Sequence, residues 1–308
     1  MGRIGVDLYP QQVGVGLDEV ESFGKYLGGS ATNVAVAAAR YGRRAAVISR
    51  TGQDPFGRFI HTALRGYGVD DRYVTAVEGL PTPVTFCEIF PPDTFPIYFY
   101  RAPKAPDLEV YPEELDLAAI ESARIFWATV SGLSVEPSRG ATMTALRARE
   151  RRAVTVLDLD YRPTFWSSPE EAREVTREAL AWATVAIGNL TEVEVAVGVR
   201  DPDAAADRLL ELGVTLAVVK LGPEGVLAKS ADESIEVPPF DVEVVNGLGA
   251  GDGFGGAFCH GVLAGWSLTD TIRFANAAGA IVASRLSCSA AMPSREEVDA
   301  LIGGSNGG

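Results

Sequence analysis

Short apolar, β-branched runs that end on a polar residue or a glycine alternate along the chain with longer stretches whose apolar positions recur every three or four residues. The runs Ala45–Ile48, Ile125–Val130, Val154–Leu159, Val185–Ile187 and Leu216–Val219 read as strands. Helical spacing covers residues 30–41, 55–67, 138–151, 169–182 and 203–212, and two more helical stretches, 251–265 and 268–286, follow with little strand signal between them. Continuous apolar strands separated by helices predict a mostly parallel sheet covered on both faces, so the fold class is α/β with a helical C-terminal portion. Residues 8–27 and 84–101 break this rhythm. They contain extended-looking segments such as VTFCEIF and IYFYR, with Pro91, Pro92 and Pro96 between the last two. They predict a small β-structured flap beside the main domain, with edge strands of the same sheet as the alternative. The glycine-rich end, 303–308, reads as a flexible tail, which leaves 1–302 as one domain.

Composition narrows the function. The chain has 308 residues, 47% apolar and 22% charged, as expected of a folded protein with a large core. Lys plus Arg is 27 against 41 Asp plus Glu, a net charge of −14. That balance repels phosphate backbones and anionic lipid, and no basic patch offsets it, so neither nucleic acid nor a membrane is an expected partner. A small anionic substrate stays possible, because a few arginines can build a locally positive pocket. Three cysteines without metal-type spacing and only two histidines predict a reduced, cytoplasmic protein without a His-rich metal site. No apolar run is long enough for a membrane span, and Arg3 and Asp7 interrupt any signal-peptide core.

Open parallel sheets bind ligands at the carboxyl ends of their strands. Asp7 follows Ile4-Gly5-Val6, while Asp158, Asp160 and Arg162 end one run, Asn189 the next and Lys220 the last. The expectation is that all of them share one rim. The most informative segment is 247–256, six of whose ten residues are glycine at the start of a helix. Each glycine in a helix costs about 1 kcal/mol relative to alanine. Close approach of the backbone to an anion, with free N–H groups and the helix dipole facing it, would justify that cost. Asp252 then sits in the first turn as an ionised carboxylate able to accept a proton from an attacking hydroxyl. The same stretch matches G-x-G-x-x-G at Gly251, Gly253 and Gly256. The acid that should end a second strand about twenty residues on is missing, which argues against a dinucleotide site. No G-x-x-x-x-G-K-[ST] loop occurs. Gly28-Gly29 precede a helix that carries Asn33, a side chain that donates and accepts as a polyhydroxyl ligand requires. Arg101 and Arg162 suit a carboxylate, although a salt bridge to Asp158 or Asp160 competes for Arg162. Asn189 and Glu192 read either as groups orienting water around magnesium or as a helix cap with its capping box. Cys259 and His260, being adjacent on a helix, point apart and form no nucleophile–base pair.

Together these motifs resemble the ribokinase-type (PfkB) carbohydrate kinases over nearly the whole chain. The G-G-x-x-x-N motif is matched by Gly28, Gly29 and Asn33, N-x-x-E by Asn189 and Glu192, G-A-G-D by Gly249 to Asp252, and an early substrate-binding Asp by Asp7. The resemblance implies an αβα sandwich with a β lid, and ATP and Mg2+ as cofactors. It implies Asp252 as base, with Gly249, Ala250 and Gly251 as the anion hole, and Asp7, Gly29 and Asn33 on the sugar. It also implies that Lys220, Gly222, Gly225 and Asn276 lie along the nucleotide with Asn189, that Glu192 meets the metal through water, and that lids pair two subunits into a homodimer. The family's Asp-Thr pair before the anion hole is here Asn246-Gly247, so the resemblance does not carry a monovalent cation over to this chain.

Within the family, residues 23–30, Tyr100-Arg101 and Asp158–Pro163 are most similar to the kinases of 5-dehydro-2-deoxygluconate in inositol catabolism, with those of 2-dehydro-3-deoxygluconate close behind. Both act on sugar acids, in agreement with the arginines. A nucleoside kinase should want aromatic stacking and has no need of two arginines. A non-catalytic sugar-acid binder has no use for a base beside an anion nest.

Overall fold

The computed structural model of the protein describes residues 1–304. The first part of the chain forms β1 (Gly5–Pro10), β2 (Phe23–Gly28), α1 (Ser30–Arg40), β3 (Ala45–Ala46), β4 (Ser49–Gly52), α2 (Pro55–Gly66), β5 (Val69–Asp70), β6 (Val74–Val77), β7 (Val84–Cys87) and β8 (Ile97–Tyr100). The middle forms α3 (Leu117–Ser122), β9 (Ile125–Thr129), α4 (Ser138–Ala148), β10 (Val154–Asp158), α5 (Pro169–Leu180), β11 (Val185–Asn189), α6 (Leu190–Val197), α7 (Pro202–Glu211), β12 (Leu216–Lys220), β13 (Val226–Ser230) and β14 (Ser234–Val237). Three helices close the chain, α8 (Ala250–Ala264), α9 (Leu268–Ala283) and α10 (Arg295–Gly304). The chain divides into two compact units. One comprises Met1–Gly2 with Leu108–Pro239, the other Arg3–Asp107 with the residues from Phe240 onward.

The first unit is a six-stranded sheet in the order β14-β13-β12-β11-β10-β9, with α3 before its first strand and α4 to α7 between its strands in sequence. Strands β9 to β12 are parallel, and β13 and β14 add an antiparallel edge. The apolar runs read from the sequence become its centre: Val156, Leu157, Ala186, Ala217 and Val218 are fully buried. The β13–β14 hairpin has no counterpart among the runs read from the sequence. Lys229, Ser230 and Glu236 dilute its apolar signal, since one pair of faces meets solvent.

The second unit is built differently. Its main sheet has four strands in the order β2-β1-β7-β8, where β1 and β7 are parallel and the outer pairs antiparallel. This sheet takes strands from both segments that break the βα rhythm, so they are not edge strands of the larger sheet. The run Ala45–Ile48 also departs from expectation. It yields only the two-residue β3, paired with β5, and the chain then forms β4, paired with β6. Ile4, Val6, Leu27, Val36, Ile60 and Leu64 supply the core of this unit. Helix α10 runs through Gly303 and Gly304, which the sequence assigned to the tail; residues 305–308 of that tail lie outside the described residues. Among the described residues no helix is long and apolar enough to cross a membrane.

Helix α8 packs between α1 and α9, and glycine sets how closely. A Cβ at Gly256 would overlap the Cβ of Ala37 and stand 2.8 Å from the backbone nitrogen of Ala38. A Cβ at Gly253 would lie 2.7 Å from Cγ2 of Val282 on α9. Gly256→Ala should therefore destabilise the protein by about 1–3 kcal/mol or more, the cost of overpacking against backbone that cannot yield. Gly66→Ala, at the end of α2 where an added Cβ meets nothing within 4 Å, serves as control and should be neutral or stabilise by up to about 1 kcal/mol. Urea unfolding of the two variants checks the contrast, and equal midpoints would refute it.

Candidate active site

Helix termini leave backbone N–H groups without partners, and most helices here cover them with a side chain. Asp54 caps α2, Ser168 caps α5, Asp201 caps α7 and Ser267 caps α9. In the second unit α1 and α8 do not follow this pattern. They begin after Gly29 and Gly249, neither with a capping side chain, and both glycines have positive φ, 102° and 84°. A Cβ at Gly29 would overlap the Arg3 carbonyl, and one at Gly249 would stand 2.6 Å from Cys288 Sγ. Only glycine fits either turn, and no side chain caps the first turn of α8, the kind of helix start that can face an anion. The glycine density of 247–256 thus has two causes. Gly249 opens the helix, whereas Gly253 and Gly256 admit the neighbouring helices. The anion reading of the whole run is corrected to its first residues.

Asp252 lies in the first turn of α8, half-buried. Asn33, in the first turn of α1 and buried, donates from Nδ2 to Asp252 Oδ2 at 2.8 Å. Asp7 is the third residue of β1, and a Cβ at Gly28 on the paired strand would overlap its carboxyl. Burial pushes the Asp7 carboxyl up to about 7; the Arg3 guanidinium and a Thr85 hydrogen bond pull the other way, and the charge of Asp252 adds to the rise. Gly29, Asn33, Asp7 and Gly249 to Asp252 are thus gathered in one unit, with Asn276 also in it, on α9. Asp7 departs from expectation in its placement: it sits within a strand of the four-stranded sheet, not at the rim that Asp158, Asn189 and Lys220 share.

That rim belongs to the first unit. Asp158, Asn189 and Lys220 end β10, β11 and β12, and Asn189 and Lys220 are register partners. Gly222 and Gly225 bracket the turn into β13. Asn189 caps α6: its Oδ1 accepts from Glu192 N at 2.9 Å while Glu192 Oε2 accepts from Asn189 N at 2.8 Å, the complete capping box. Arg162 donates to Asp160 at 2.8 Å and to Glu192 Oε1 at 3.3 Å, so the competing salt bridge forms.

Arg101 also has an internal partner. Its two terminal nitrogens hold Asp107, at 3.1 Å to Oδ2 and 2.5 Å to Oδ1, and Asp107 Oδ2 accepts from the Ile4 backbone at 3.2 Å. Asp107 is buried, so this clamp neutralises a carboxylate that would otherwise stand in a low-dielectric interior. Three polar residues of the site carry little signal in the sequence. Arg3 figures there only as a break in an apolar segment; it is buried, donates to Ser30 Oγ at 3.1 Å and lies 5.4 Å from the Phe99 ring centroid. Asp107 and Ser289 belong to no spaced motif, and only their burial marks them. The thiols are packing groups: burial pushes Cys87 and Cys259 up to about 12, and Cys288, 2.6 Å from Tyr9 Oη, is raised too.

The Asp7 carboxyl has a consequence for stability. Unfolded, it releases its proton near 3.8; folded, it keeps the proton up to about 7. Between those values the unfolded state gains relative to the folded one as pH rises, and above 7 the penalty is complete, on the order of 4 kcal/mol. Relative to wild type, Asp7→Asn should therefore gain stability steadily between pH 4 and pH 8 in urea unfolding. A stability difference independent of pH would rule out the raised carboxyl.

The spaced motifs that converge on these positions also define a family. The profile of the pfkB family carbohydrate kinases matches residues 1–295. A 5-dehydro-2-deoxygluconokinase of Photobacterium profundum is 35% identical, covering 96% of this chain and 91% of its own. Another, of Clostridium tetani, is 33% identical over 98% of this chain and 91% of its own. A ribokinase-type protein of E. coli, solved in complex with ATP and Mg2+, superposes with a TM-score of 0.89 at 24% identity, covering 98% of this chain and 97% of its own, which establishes likeness of fold. With its uncapped glycine turn before Asp252 and its motifs in family order, the chain belongs to the pfkB family of carbohydrate kinases, enzymes that phosphorylate a sugar.

Proposed function

We propose that the protein transfers the γ-phosphoryl group of ATP to a hydroxyl of a sugar acid, with 5-dehydro-2-deoxygluconate as substrate. The observation that carries the chemistry is the Asp252 carboxylate held by Asn33 in the first turn of a helix whose N-terminus no side chain covers. Asp252 takes the proton of the attacking hydroxyl, and the N–H groups from Gly249 to Gly251 meet the charge that develops on the transferred phosphoryl oxygens. Asp7, Gly29 and Asn33 hold the sugar. Lys220, Gly222, Gly225, Asn189 and Asn276 hold the nucleotide. The substrate assignment draws on the names of the relatives and on the arginines.

Among the described residues no group of three or more His, Cys, Asp or Glu is placed to hold a metal. In kinase sites Mg2+ is bound by the nucleotide's phosphates and one or two carboxylates while keeping several of its waters. Both Glu192 oxygens already accept hydrogen bonds, so its contact to the ion would pass through water. The ion's contribution when bound is to neutralise phosphate charge. No monovalent cation is invoked: Asn246 spends Nδ2 on Leu286 O at 2.7 Å and Oδ1 on Leu248 N at 3.0 Å.

ATP consumption with sugar acids, neutral sugars and nucleosides tests the reading. The acids should lead, and a best rate with 2-dehydro-3-deoxygluconate, ribose or adenosine would overturn the substrate assignment. Asp252→Asn should lower kcat by roughly 10²–10⁴ while nucleotide affinity is kept. For the carboxylate, Arg101 must be altered together with its buried partner. Arg101→Ala with Asp107→Asn should cost the acid substrate about 2–3 kcal/mol in kcat/KM and leave a neutral sugar nearly unchanged. The four-stranded sheet is read as the lid that excludes water, the surface on which two subunits would pair. Hydrogen exchange in 8–27 and 84–101 should slow when sugar acid binds, and unchanged exchange at saturation would refute closure.

A further inference from the structure

The Asn33–Asp252 hydrogen bond has a second tier. Ser289 lies in a short 3-10 turn, Ser289–Ala291, and is fully buried. Its Oγ is 2.5 Å from Asn33 Oδ1 and 2.8 Å from Leu27 O. The preceding residue, Cys288, packs against Gly249, so this one segment touches both the start of α8 and the amide that holds Asp252. With the amide in this orientation neither neighbour of the Ser289 hydroxyl has a proton to give, so its single proton lies between Leu27 O and the nearer acceptor, Asn33 Oδ1.

An amide has two ends that sterics barely distinguish; only partners decide which way it points. With Oδ1 receiving the Ser289 proton, Nδ2 must face Asp252. Turned round, Oδ1 would stand against Asp252 Oδ2, two acceptors in contact, which is tolerable only if the carboxylate is protonated. A protonated carboxylate cannot accept the proton of the sugar hydroxyl. We propose that Ser289 is a positioning residue for phosphoryl transfer: by donating to Asn33 Oδ1 it fixes the amide so that Nδ2 holds Asp252 ionised and aimed. It touches neither substrate nor nucleotide. No bond changes at Ser289, and the proton that moves in the reaction goes from the sugar hydroxyl to Asp252.

This inference rests on the reading of Asp252 as base, and the experiment separates the two. The acid limb of kcat against pH is measured at saturating ATP and sugar acid for the wild type, Ser289→Ala and Ser289→Cys, with Asp252→Asn as reference. Without the hydroxyl the amide is free to turn, and hydrogen bonding then favours the protonated carboxylate. Ser289→Ala should move the acid limb up by about one pH unit, so that kcat falls by up to about tenfold at pH values below the limb and much less on the alkaline side. Ser289→Cys, a weaker donor of similar size, should move it in the same direction by less. It carries the test if the alanine variant does not accumulate in folded form. Loss uniform across pH, or an unmoved limb in either folded variant, would overturn the role of Ser289. If that happens while Asp252→Asn is inactive, the base reading stands without it; if Asp252→Asn turns over normally, the base reading itself fails.

Discussion

The close crossing of α1 and α8 is the constraint on which the site depends. Asn33 and Asp252 are 219 residues apart, and each lies in the first turn of its own helix. They meet at 2.8 Å because Gly256 lets the backbone of α1 approach α8 to a distance no side chain would permit. Both helices open on a glycine with positive φ, so both deliver a polar side chain without a capping side chain in the way. Packing, capping and chemistry are thus consequences of where glycine stands in two short segments.

A second theme is how an acidic chain manages buried charge. Asp107 is clamped by Arg101, and Asp160 and Glu192 share Arg162. Asp7 is held less firmly and stays protonated up to about neutral pH. The difference has a direct cause. Asp107 accepts two guanidinium bonds and one from the Ile4 N–H, whereas Asp7 has burial and the negative charge of Asp252 against it. Arg101 and Arg162 therefore have structural work besides any part in recognition, their charge already partly offset by internal carboxylates.

The elements that were legible in the sequence are those with local causes. The parallel strands β9 to β12 announce themselves because both faces are buried, and α2, α5 and α9 carry their caps next to their apolar stripes. The capping box of Asn189 and Glu192 was readable from spacing alone. The β13–β14 hairpin was not, since a strand wetted on one face and broken by Lys229 and Ser230 lacks a continuous run. Helix α10 ends in two glycines, and propensity argued against it.

For the site, sequence alone determined which residues are available: the glycine turns, Asn33, Asp252, Asp7 and their order along the chain, because backbone conformation and helix starts are decided within a few residues. Tertiary structure decided everything that depends on distant partners. It buried Arg3 beside Asp7, gave Asp107 to Arg101 and Asp160 to Arg162, placed Asp7 in a different sheet from Asn189 and Lys220, and set Ser289 behind Asn33. Such pairings follow from the desolvation of a group in the folded interior and from which donor the packing brings within about 3 Å. Neither quantity exists until the chain has closed on itself.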